Sequence, residues 1–79
     1  MPVLLREGGY IFRCYASDED EPAHVHVLKE GNTAKYWLIP SMRLQHHRGY
    51  RPHELNQIEK IIDANYDLLL ERWNEFFNN

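Results

Sequence analysis

All four glycines and all four prolines of this 79-residue chain lie at or before Pro52. From residue 53 to 79 nothing interrupts a helix, whereas the first part is punctuated often enough to make only short elements joined by turns. That division predicts an α+β fold: a small antiparallel sheet of three to four strands, covered on one face by a long C-terminal helix. The length allows one domain, 1–79, because a chain this short cannot supply two cores. Aromatic residues make up 13% of it, which gives it enough apolar bulk to fold.

The strands follow from local patterns. Val3-Leu4-Leu5 precedes the turn signal Gly8-Gly9, and Tyr10-Ile11-Phe12-Arg13-Cys14-Tyr15 is dense in aromatic and β-branched residues, so the two read as a hairpin. Ser17 to Pro22 is a polar, acidic loop. Glu21-Pro22-Ala23-His24-Val25-His26-Val27 follows as a strand with histidines on one face and valines on the other. A two-residue loop at Glu30-Gly31 would return the chain through Thr33–Ile39 and set His26 opposite Lys35 and His24 opposite Trp37, whereas one more loop residue would put Tyr36 beside the histidines. Ser41 to Tyr50 shows no regular pattern. Pro52 suits the first turn of a helix, and Leu55, Ile58, Ile62, Leu69, Trp73 and Phe76 recur at helical spacing. A straight helix of about 25 residues would be roughly 37 Å long, well beyond a strand of about 20 Å. So it either breaks near Asn65 or overhangs with an apolar end. In the second case Leu69, Trp73, Phe76 and Phe77 form a partner interface or a homo-oligomer contact. The expected core is Tyr10, Phe12, Val25, Val27 and the Leu55–Ile62 stripe, with His24 and His26 on or near the open face.

These residues resemble a known family. Met1-Pro2, Gly9-Tyr10 with its aromatic strand, the Glu21–Val27 motif, Lys35-Tyr36-Trp37-Leu38 and Leu68-Leu69-Leu70-Glu71-Arg72-Trp73-Asn74-Glu75-Phe76 are similar to domain-of-unknown-function family 4160, a group of small bacterial proteins. Most members carry two prolines before the first histidine; here Ala23 takes the second place. The resemblance implies an interaction module, one component of a toxin–antitoxin-type pair that acts with a small protein partner. It brings no established catalytic residue.

The residues themselves offer two chemistries. Histidines at i and i+2 on a strand point the same way, so His24 and His26 can hold zinc, with a third ligand from Asp18, Asp20, Glu21, His46 or His47. Otherwise the chain calls for no cofactor. In the second reading the protein is a metal-independent ribonuclease toxin with His24 and His26 as catalytic acid and base. Lys35, Arg43, Arg48 and Arg51 then bind phosphate, and Tyr36, Trp37 or Tyr50 stack on RNA bases. The bland alternative makes the histidines polar filler on a solvated sheet face and the arginines partners of Asp18–Glu21. Whether the chain is an enzyme at all stays open at this point.

Composition narrows the setting. The single cysteine, Cys14, allows no internal disulfide, and no apolar run approaches a membrane span, so a cytoplasmic location is expected. Net charge is only −3, but an acidic block at Asp18–Glu21 and a basic middle from Arg43 to His53 make the surface dipolar. A removed Met1 would leave Pro2 as a terminal amine of the kind some tautomerases use, but those proteins alternate strands and helices and this chain runs strand after strand.

Overall fold

A computed structural model describes residues 2–77. Five strands form one antiparallel sheet in chain order: β1 (Val3–Glu7), β2 (Tyr10–Arg13), β3 (His24–Lys29), β4 (Asn32–Trp37) and β5 (Arg43–Arg48). A short 3-10 turn, Ala16–Asp20, interrupts the β2–β3 connection, and two helices, α1 (Pro52–Ala64) and α2 (Tyr66–Phe77), close the chain. The α+β class is as expected, with one strand more than predicted.

The β3–β4 register is the one the short loop imposes. Glu30 and Gly31 take φ of 51° and 84°, which suits a tight two-residue turn between twisted strands. His24 therefore pairs with Trp37 and His26 with Lys35. The extra strand, β5, occupies the stretch that showed no pattern. It pairs with β4 through a register shift between Lys35 and Tyr36, and only Leu44 in it is half-buried, the other five residues being exposed. Its order comes from the backbone ladder, so side-chain periodicity gave no warning of it. Gly49, at φ 95°, turns the chain from β5 toward α1, and an added Cβ there would run into the Asn32 side chain.

Alternation along the strands puts Tyr10, Phe12, Val25, Val27, Ala34 and Tyr36 on one face, all buried with Ile58 and Ile62 of α1. Leu55 is half-buried at the edge of this cluster. Polar tips are satisfied across the layer: the Tyr36 hydroxyl donates to Glu59 Oε2 at 2.9 Å and the Tyr10 hydroxyl to Gln57 Oε1 at 2.9 Å. At the start of α1 the Arg51 N–H donates to the Glu54 carboxylate at 2.8 Å, so a capping interaction reinforces the proline.

The helix breaks at Asn65, whose backbone sits at φ −120°, ψ 21°. Its side-chain amide donates to the Ile61 carbonyl at 2.8 Å, and its own carbonyl accepts the Leu69 N–H at 2.8 Å. One residue thus closes α1 and opens α2 without glycine or proline. The break turns α2 back onto the sheet beside β1, where Arg72 donates to the Leu4 carbonyl at 2.6 Å and Tyr66 donates to the Leu38 carbonyl. This corrects the expected partner interface. Leu69 is fully buried and Trp73 nearly so, and Phe76 and Phe77, half-buried, pack against the same core. The apolar end that an unbroken helix would expose is internal at Leu69 and Trp73 and half-covered at Phe76 and Phe77.

Candidate functional site

The site begins with the 3-10 turn. Tyr15 enters it with extended backbone, and the turn brings Asp18 back so that its Oδ2 accepts the Tyr15 N–H at 2.8 Å. The Asp18 N–H in turn donates to the Tyr15 carbonyl at 2.9 Å. This reciprocal pairing aims the carboxylate at the opening of β3. There His24 Nε2 lies 3.2 Å and His26 Nε2 3.1 Å from the same Asp18 oxygen. Of the acids and histidines considered as third member of the constellation, the fold selects Asp18. Asp20 and Glu19 are exposed, and His46 and His47 stand on β5. Glu21 Oε1 is 3.7 Å from His24 Nδ1, on the ring's other side.

The two histidines differ. His26 keeps 23% of its side chain exposed, beside the Tyr15 ring. His24 was expected near the open face but is completely buried. The Asp18 turn covers it, and the rings of Trp37 and Trp73 approach to 5.4 and 6.4 Å. The cover comes from residues 13 and 49 positions further along the chain, so strand alternation does not reveal it. An enclosed His24 cannot meet a substrate together with His26 in this arrangement, which removes the geometric basis for a two-histidine acid–base pair.

Local fields set the protonation states. Burial works to raise the Asp18 pKa, but the Tyr15 N–H and the two histidines outweigh it and hold the carboxyl below its usual range. Burial depresses the His26 pKa; Asp18 opposes that and His24 adds to it, and the net shift is downward. Glu21 is also lowered, chiefly by its 2.6 Å hydrogen bond from Lys35. Cys14, fully buried nearby, is pushed up to about 11 by burial and then by the Asp18 charge, so its thiol is a packing group.

Around the histidines the register builds a second feature. Residues paired across antiparallel strands share a face, so Arg13, His26, Lys35 and His46 form one row across β2 to β5. His24, Trp37 and Arg43 form the next row, and Thr33 with Arg48 belongs to the row beyond His26. Lys35, Arg43 and Arg48, singled out as phosphate-binding residues, therefore stand on the histidine face. Arg51 does not; it precedes α1. Tyr36 and Tyr50 are buried and unavailable for stacking, whereas Trp37 is half-exposed, with the Lys35 ammonium 4.6 Å from its ring centre. Half of the twelve acids stand on the other layer: α1 and α2 carry Glu54, Glu59, Asp63, Asp67, Glu71 and Glu75 against Lys60 and Arg72.

No helix of the described residues is long and apolar enough to cross a membrane. Neither a curated protein nor a solved structure matches the chain. A family model does: residues 9–74, which hold the Asp18 turn, both histidines, the cationic rows and most of α2, match the Domain of unknown function (DUF4160), and the chain belongs to that family.

Proposed function

We propose that the protein is a small binding module whose working surface is the open face of the sheet, and that its ligand is a single-stranded RNA. The observation that carries this reading is the segregation of charge. Arg13, Lys35, Arg43 and Arg48 share the histidine-bearing face, six of the chain's twelve acids lie on the helices behind it, and the Asp18–Glu21 block is confined to the histidine end, where Glu21 pairs with Lys35. An antiparallel sheet backed by helices on one side, with cations and a half-exposed tryptophan on the other, offers single strands both phosphate contacts and a stacking surface. A net charge of −3 does not oppose this, because at physiological salt a phosphate feels charges within about 8 Å.

Binding of a short fluorescent oligonucleotide, followed by anisotropy over a salt series, tests the proposal. Each phosphate contact contributes about 0.7 to the slope of log K against log salt for a single strand. The Arg43→Ala/Arg48→Ala variant is expected to bind more weakly and to lose about 1.4 from that slope. Lys60→Ala, on α1, should change neither. A wild-type protein that ignores RNA at low salt, or a double variant with an unchanged slope, ends the reading.

A second reading rests on β5. It is the free edge of the sheet, opposite the β1 edge beside which α2 packs, and it buries almost nothing of its own. An extended segment of a small protein partner, as in a toxin–antitoxin-type pair, would add a strand there through main-chain hydrogen bonds. Such a partner would protect the outward β5 amides from deuterium exchange. Binding that leaves them unprotected rules this mode out.

A further inference from the structure

We infer that Asp18, His24 and His26 form a divalent-metal site of the zinc class, independent of whatever the open face binds. Three donor atoms, Asp18 Oδ2 and the two Nε2 atoms, lie within 4.8 Å of one another. The carboxylate oxygen is 3.2 and 3.1 Å from the two nitrogens. Donors held about 2.0–2.1 Å from a tetrahedral zinc are themselves about 3.3 Å apart, so the two oxygen–nitrogen spacings fit, and the two nitrogens lie within 4.8 Å of each other.

The second observation is an unpartnered polar atom. His24 is completely buried, and its Nε2 has no hydrogen-bond partner. Its Nδ1 faces the Pro22 carbonyl at 2.8 Å. A carbonyl only accepts, so Nδ1 carries the hydrogen, and in the neutral ring Nε2 then holds a bare lone pair. That lone pair sits beside a carboxylate oxygen, and two acceptors facing each other in a buried pocket repel. A proton on Nε2 would make the 3.2 Å contact an ion pair with Asp18, yet the geometry still gives Nε2 no well-aligned hydrogen bond. A cation on the ring axis, with the oxygen bound from the side, satisfies both groups at once. The Pro22 carbonyl holding Nδ1–H is also the kind of outer contact that fixes the tautomer and orientation of a metal-ligating histidine. The Tyr15 N–H orients the carboxylate in the same way.

With two imidazoles and one carboxylate, the donor set favours Zn(II) or Co(II) over Mg(II) or Ca(II), which take all-oxygen sites. Its ligands come from the 3-10 turn and from β3, so the ion would tie the Asp18 turn to the sheet.

The full chain, freed of metal with EDTA and dialysed, is titrated with Co(II) and then with Zn(II). Expected is one equivalent of Co(II) with visible d–d bands of a four-coordinate site, displaced by Zn(II), and a melting temperature that rises with Zn(II) concentration. His24→Ala and His26→Ala should each weaken Zn(II) binding at least 100-fold. Asp18→Asn, which keeps the side-chain shape and so guards against a folding failure, should weaken it at least 10-fold with an unchanged circular dichroism spectrum. The exposed histidines supply the contrast: a His46→Ala/His47→Ala/His53→Ala variant should bind as the wild type does. Absence of one-equivalent binding overturns the site. So does binding that survives in folded Asp18→Asn but disappears with the exposed histidines.

Discussion

Leu69→Ala should lower the unfolding free energy by about 3 kcal/mol, and Trp73→Ala by about 3–4 kcal/mol, the range for emptying a buried site of a large side chain. Total stability for a chain of this length is about 4–12 kcal/mol, so either change is a large fraction of it. Leu69 is fully buried and Trp73 is 8% exposed, and both pack in the cluster that contains Val25, Ile58 and Ile62. The Trp73 indole N–H has no partner among the described residues, so its loss forfeits packing and no hydrogen bond. Urea unfolding with sedimentation of the same samples checks the prediction. The two substitutions should reduce the midpoint without altering the molecular mass. If stability held while an oligomer dissociated, these side chains would belong to an interface between chains, and the fold described above would be wrong at α2.

How far the sequence disclosed this arrangement depends on which interactions set each part. The β3–β4 register was legible as the preferred one of two, because Glu30 and Gly31 permit a short loop; the positive φ at both residues decides it. The helix break was legible as one of two outcomes, because an uninterrupted helix outruns the sheet; choosing between them needed the Asn65 side chain to bond the Ile61 carbonyl. β5 was not legible. Arg43-Leu44-Gln45-His46-His47-Arg48 has one apolar residue, and its pairing with β4 depends on a register shift that no side-chain pattern encodes. The same strand then decides where the cations go, so the gathering of Arg43 and Arg48 beside the histidines was hidden with it. His-x-His was visible as a candidate and Asp18 as one of several third members. Selecting Asp18 required the 3-10 turn, a local geometry that four consecutive acids do not announce. The burial of His24 depends on Trp73, far along the chain.

These pieces share one physical logic. A two-layer fold of this size has one apolar core and therefore one sheet face that must be polar. Here that face is not evenly polar. The acidic block folds over one end of it, where Asp18 is held by the Tyr15 N–H and the histidines and Glu21 by Lys35. The cations nearer β5 have no acid among those ion pairs: Arg43 and Arg48 are exposed and stand in rows with Trp37 and Thr33. Charge that is neutralised at one end and, among the described residues, unpaired at the other gives a direction to any anionic strand that settles on the face.

Asp18→Ala should cost about 2–3 kcal/mol in metal-free buffer, because it leaves the Tyr15 N–H and the His26 ring without their charged acceptor. The variant should also change how stability depends on pH. Asp18 has a folded pKa below its unfolded value, so its contribution is present above about 3.9 and is lost as pH falls through the folded value. His26 is likewise lowered, so below about 6.5 the unfolded chain takes up the proton first and stability falls with pH until the folded value is passed. Both groups make acid destabilising, in two separate windows, with His26 responsible for the upper one. Removing Asp18 takes its share out of the lower window and leaves that of Glu21. It also deepens the upper one, since the carboxylate is what holds the His26 pKa from falling further. Urea midpoints measured from about pH 7.5 to about pH 3 in EDTA, for wild type, Asp18→Ala and His26→Gln, separate these contributions. His26→Gln should flatten the decline that begins near 6.5, because it removes the group responsible. A wild-type midpoint that stays level or climbs between about 6.5 and 5 would mean that His26 is not held neutral by its surroundings, and the electrostatic account of the Asp18–His26 contact would fall with it.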